Sequence, residues 1–159
     1  MIKKSVCIFL SFLLCLSLAS CSDGPRIYSH CELSIQLPES FYEYEDKNFD
    51  VSYTDGTDAV AILRISFDAA VNEGISNLMT AYEFGEYWIS RCQREANLIG
   101  GDTVFCDYFE GDGASGQYYL EAFYRSRHAY FVVLFATAAK NSDKSYGKFL
   151  EYAGSVNLN

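Results

Sequence analysis

The sequence predicts an α+β fold: an antiparallel sheet of about six strands with helices packed against it. Three observations point there. Apolar side chains alternate with polar ones in several segments of five to nine residues, the period of a half-buried strand. Those segments are joined by Asp-Gly and Gly-rich stretches that suit tight reversals, Asp55-Gly56-Thr57-Asp58 and Glu110 to Gly116. Two stretches instead carry apolar residues four apart, the spacing of a helix face.

The elements follow in chain order. Glu32 to Leu37 reads as the first strand, with Leu33, Ile35 and Leu37 inward, and Pro38-Glu39-Ser40 stops it. Phe41 to Asp46 mixes aromatic and acidic residues and is expected at a sheet edge. Asn48 to Thr54 is a second strand, and Ala59 to Phe67, strongly apolar, is a central third. Thr80-Ala81-Tyr82-Glu83 fits a capping box, in which hydroxyl and carboxylate each satisfy a free backbone N–H. The helix it opens is expected to run to about Asn97 with Phe84, Trp88, Cys92 and Ala96 as one stripe. Thr103 to Phe109, Gln117 to Arg125 and His128 to Ala136 are three further strands. Ser142 is expected to cap a last helix from Asp143 to Tyr152 that buries Tyr146, Phe149, Leu150 and Ala153, with Gly154 ending it.

The N-terminus carries a different signal. Lys3 and Lys4 precede an apolar run from Val6 to Leu18, the layout of a secretory signal and too short for a transmembrane helix of about 20 residues. Leu18-Ala19-Ser20-Cys21 resembles a bacterial lipobox. The resemblance implies cleavage behind Ser20, a diacylglycerol thioether on Cys21, and a cell-membrane location on the extracytoplasmic face. Residues 1–20 are then the signal peptide, 21–30 the lipidated end and a short tether, and 31–159 one domain.

Charge narrows the partners. The chain has 12 basic and 21 acidic residues, and losing Lys3 and Lys4 with the signal leaves a formal charge of −11. That surface repels nucleic acid and anionic headgroups, so the membrane is reached through lipid and nucleic acid is excluded as a partner.

Catalytic and metal motifs are not found. Gly113-Ala114-Ser115-Gly116 lacks the spacing and the strand-to-helix context of a nucleophile elbow. His30 and His128 belong to no zinc-binding pair, and Asp107, Glu110 and Asp112 lack calcium-loop spacing. Asp55 and Asp58 read as turn residues. Cys31, Cys92 and Cys106 match no metal motif and leave open one disulfide or three thiols. No cofactor, metal or catalytic residue is assigned.

The strand order, with Leu37-Pro38-Glu39-Ser40-Phe41 after the first strand, Tyr82-Glu83-Phe84 opening a helix and Ser155-Val156 at the end, resembles the PsbP-like superfamily of α/β/α sandwiches. That group includes the PsbP subunit of photosystem II, a Ran-binding nuclear-import factor and DcrB-like bacterial lipoproteins. The resemblance implies a binding or assembly role with no shared catalytic residues. The expected function is therefore a non-catalytic accessory lipoprotein contacting another envelope protein. A second reading is a small-ligand carrier with a pocket between sheet and helix, lined by Phe84, Trp88, Tyr119 and Tyr130. A third, an envelope hydrolase, has no residue cluster marking it. Tyr118, Tyr119, Phe123, Tyr124, Tyr130 and Phe131 read first as sheet core and second as an aromatic binding face.

Overall fold

Period-two alternation and reversing turns build two antiparallel sheets across residues 24–159, the part of the chain that the computed structural model describes. The strands are β1 (Arg26–His30), β2 (Leu33–Leu37), β3 (Tyr42–Tyr44), β4 (Val51–Thr54), β5 (Asp58–Ser66), β6 (Val104–Glu110), β7 (Gln117–Arg125), β8 (Ala129–Ala138) and β9 (Asn157–Leu158). The helices are α1 (Phe67–Asn72), α2 (Ala81–Arg91) and α3 (Ser142–Gly154). The main sheet has the order β3-β4-β5-β8-β7-β6, and a small sheet has the order β1-β2-β9.

The main sheet separates two cores. On β8, Phe131, Val133 and Phe135 point to one face, where they meet Leu33, Ile35 and Leu37 of β2 and Phe149 and Ala153 of α3. Tyr130 and Val132 point to the other face, toward Ala70 of α1 and Phe84 and Ile89 of α2. The aromatic strand residues are thus divided between two cores, which answers the choice between core and binding face for most of them. Tyr118, Phe123, Tyr130 and Phe131 are buried, and the Tyr124 hydroxyl donates to the Ala153 carbonyl at 2.7 Å.

Several expectations hold closely. β7 spans Gln117–Arg125 as expected, β3 is an edge strand, β5 is central, and Gly56 takes the positive φ of 87° that its turn requires. The capping box is formed: Glu83 N–H donates to Thr80 Oγ1 at 3.2 Å, and Thr80 N–H donates to Glu83 Oε2 at 2.7 Å.

Other expectations are corrected. Residues 26–30, read as tether, form β1, because pairing with β2 satisfies their backbone along the whole strand. Helix α1 was not anticipated; it is one short turn-and-a-half capped by Ser66, whose hydroxyl accepts from Ala69 N–H at 3.2 Å. Ser142 lies inside α3 rather than at its cap, Asn141 holds the cap position, and Tyr146 is exposed while Ser145 is buried in its stead. Asp58 is not an exposed turn residue. It is buried at the start of β5 and accepts from the Ser145 hydroxyl at 2.9 Å, with Lys148 Nζ 3.5 Å away, pinning α3 to the sheet.

The largest correction concerns α2. It ends at Arg91, well short of Asn97, and the expected stripe fails at Cys92, which is exposed. The stop is a Schellman motif. Gln93 N–H donates to the Ser90 carbonyl at 3.1 Å and Arg94 N–H to the Ile89 carbonyl at 3.1 Å, with Gln93 at φ 54°. Glycine usually occupies that left-handed position, so the sequence hid the ending.

Candidate functional site

The feature of this fold with the most unusual chemistry lies where the chain leaves α2 and crosses the outer strands of the main sheet. β6 and β7 pair so that Cys106 opposes Glu121 and Tyr108 opposes Tyr119, all four on the α2 side of the sheet. Alternation along β7 turns Glu121 inward between Tyr119 and Phe123, and it is only 3% exposed. A carboxylate there must find charged or polar partners, since an isolated buried charge is prohibitively costly.

Arg94 supplies the charge. Its Nη1 forms an ion pair with Glu121 Oε1, and its guanidinium lies over the Tyr108 ring, 4.6 Å from the centroid. Tyr108 also donates its hydroxyl to Glu121 Oε1 at 3.3 Å and stacks on Tyr119 with centroids 5.3 Å apart. Gln93 in its left-handed conformation is what turns Arg94 back over the sheet, at a strain of about 1 kcal/mol for a residue other than glycine. Three buried polar atoms here have no hydrogen-bond partner in the protein: Glu121 Oε2, Arg94 Nη1, which makes the ion-pair contact alone, and Trp88 Nε1 of α2.

The electrostatics follow from burial. Desolvation holds the Glu121 carboxyl above its ordinary range, opposed by the Arg94 charge and by the bonds from Arg94 and Tyr108. Burial and then the Glu121 charge push the Cys106 thiol up to about 12, and burial raises the Tyr108 phenol as well. The Cys106 thiol and the Tyr108 phenol are thereby kept in their neutral forms, which do not attack. Glu121 is sealed beneath Arg94 and Tyr108.

The four residues expected to line a ligand pocket separate into two kinds. Phe84 and Tyr130 are fully buried and stacked face to face, 4.3 Å apart and 6° from parallel, so the space between helix and sheet is filled there. Tyr130 also donates its hydroxyl to the Ser76 carbonyl at 2.8 Å. These two are core, and the expected pocket is corrected at their positions. Trp88 and Tyr119 are only half-buried; Trp88 packs on Phe84 at 5.9 Å, and Tyr119 stacks within the Glu121 cluster. Glu121 and Arg94 were not anticipated. A glutamate inside Tyr118-Tyr119-Leu120-Glu121-Ala122-Phe123-Tyr124 was the available signal, since it breaks an otherwise apolar strand at an inward position.

The remaining candidates stay apart. The Ser115 hydroxyl donates to the Asp112 carbonyl at 2.8 Å, a turn contact. Cys31, Cys92 and Cys106 are free thiols, with His30 Nε2 3.6 Å from Cys31 Sγ on an exposed hairpin. Among the described residues no three His, Cys, Asp or Glu side chains are grouped to hold a metal ion. Cys21 lies outside the described residues.

No protein-family model matches the sequence, and a search of curated proteins finds no match. Solved structures do match in shape. The solution structure of cyanobacterial PsbP (CyanoP) from Synechocystis sp. PCC 6803 aligns at a TM-score of 0.57 and 17% identity, over 89% of this chain and 96% of that one. The Ran-binding protein Mog1p of Saccharomyces cerevisiae aligns at 0.54 and 8%, over 86% of this chain and 96% of that one. A structure from Bacteroides thetaiotaomicron VPI-5482 aligns at 0.56 and 12%, over 86% of this chain and 48% of that one. The chain therefore has a PsbP-like α+β fold.

Proposed function

We propose that this protein is a membrane-anchored lipoprotein of the extracytoplasmic face, held by lipid on Cys21, that serves as a non-catalytic binding or assembly domain for another envelope protein. The observation that carries the binding reading is the Arg94–Glu121–Tyr108 cluster. It gathers a guanidinium, a carboxylate and an aromatic ring, the groups that recognise a partner, beneath a partly exposed Arg94, while its phenol is held in a form that does not attack. Two supports stand beside it. The fold is that of a protein described as Ran-binding, so it suits protein recognition. Large apolar side chains also remain at the surface, Phe109 of β6 at 60% exposure and Leu78 ahead of α2 at 82%.

The anchor rests on Leu18-Ala19-Ser20-Cys21. No helix among the described residues is long and apolar enough to cross a membrane. Because β1 begins at Arg26, only Ser22 to Pro25 would separate the lipid from the fold, a reach of about 14 Å. Replacing Cys21 with alanine is expected to move the protein from the membrane fraction to the soluble fraction. Retention of the Cys21→Ala protein in alkali-washed membranes would remove the lipid anchor from the account.

A further inference from the structure

We propose that Glu121, Tyr108 and Tyr119 form a guanidinium-binding cage, filled in the free protein by Arg94 of the same chain, whose external ligand is an arginine side chain of the binding partner. This rests on the binding function proposed above and names the chemistry of its contact.

The cage has the three parts that guanidinium recognition uses. Glu121 supplies a desolvated carboxylate, Tyr108 supplies a ring face with a cation 4.6 Å from its centroid, and Tyr119 backs that ring at 5.3 Å. The ligand class follows from the group already seated there. A guanidinium is planar, so it stacks on a ring and faces a carboxylate at once, whereas an ammonium offers a point charge with no stacking surface.

The resident group uses the cage incompletely. A carboxylate can accept a two-pronged fork, yet the ion pair with Arg94 is made at Oε1, and Oε2 is buried without a hydrogen-bond partner. An arginine entering from outside is not bound to the backbone path of residues 92–94 and can align with both oxygens. The acidic surface of the chain favours the approach of a basic partner segment.

Titration of the full-length chain in detergent with ethylguanidinium and with ethylammonium tests this directly, read by intrinsic fluorescence and by the shift in melting temperature. The Arg94→Ala protein is expected to bind ethylguanidinium roughly tenfold more tightly than ethylammonium. Adding Glu121→Gln is expected to abolish that preference. Equal binding of the two cations by Arg94→Ala, or a preference that survives Glu121→Gln, would overturn the cage. Should Arg94→Ala not fold, the wild-type chain decides by NMR of the Tyr108 ring signal. The peptide Gly-Arg-Gly is expected to shift that signal and Gly-Lys-Gly to leave it; equal responses overturn the proposal. Failure of the cage with a partner still recovered from envelopes would overturn the arginine contact alone and leave the binding function standing.

Discussion

The Arg94→Ala protein is expected to lose about 3 kcal/mol of stability at neutral pH, and to recover much of that loss as the pH is lowered. Removing Arg94 leaves Glu121 as a buried carboxylate with only the Tyr108 hydroxyl to compensate it. Loss of one partner from a buried pair costs about 3–5 kcal/mol, and the lower end applies because the Arg94 side chain is 23% exposed. The pH dependence has a definite sign. Burial raises the Glu121 carboxyl above its ordinary value of 4.5, so the folded protein holds this proton more strongly than the unfolded chain does. That contribution to stability is complete below pH 4.5 and is lost as the pH rises through the folded-state value. Without Arg94 the folded-state value rises further and the loss reaches its full size at neutral pH. Urea unfolding at pH 5 and pH 7 checks this: the penalty of Arg94→Ala should be clearly larger at pH 7. Adding Glu121→Gln should remove the difference. A penalty equal at both pH values would mean that Glu121 is not the group left unpaired.

Replacing Phe84 with alanine is expected to cost about 3–5 kcal/mol, measured by the same unfolding. Phe84 is fully buried, stacks on Tyr130 at 4.3 Å and meets Phe123 edge-on at 6.2 Å. Truncation removes the one aromatic of α2 that is completely enclosed by the sheet, and the surrounding rings are too tightly held to close over the gap. Gly85 marks how tight the interface is, since a methyl there would meet Leu98 Cδ1 and Phe123 Cδ2 at 3.0 Å. A ligand pocket at this interface would give a different result, because a side chain lining open space contributes little to stability. A loss below about 1 kcal/mol for Phe84→Ala would therefore return the carrier reading to consideration.

The strands were legible because their signals are local. Alternation in Gln117 to Arg125, the Asp-Gly turn and the Thr80–Glu83 capping box each act within a few residues, and each formed as expected. What stayed hidden depends on long-range pairing or on an unusual residue in a familiar motif. Arg26 to His30 becomes strand only because β2 folds back beside it. Asp58 is buried through Ser145, 87 positions away. The end of α2 is hidden in the sequence because glutamine stands where glycine commonly closes a Schellman motif, and the placement of Arg94 is hidden with it. The candidate site was thus half legible. Trp88 and Tyr119 were named for their aromatic surface, while Glu121 and Arg94 come together only when the helix stops early and the chain doubles back.

If this domain works by binding a protein at the envelope, mild cross-linking of intact cells should capture that protein on it. The wild-type chain would then be purified from detergent-solubilised envelopes and the attached proteins quantified by mass spectrometry. One protein is expected in near-equal amount with this chain in every replicate, and it should be lost from the Arg94→Ala/Glu121→Gln protein, whose folding is checked by circular dichroism. Repeated recovery of this chain alone, at expression levels where the chain itself is abundant, would contradict the binding role.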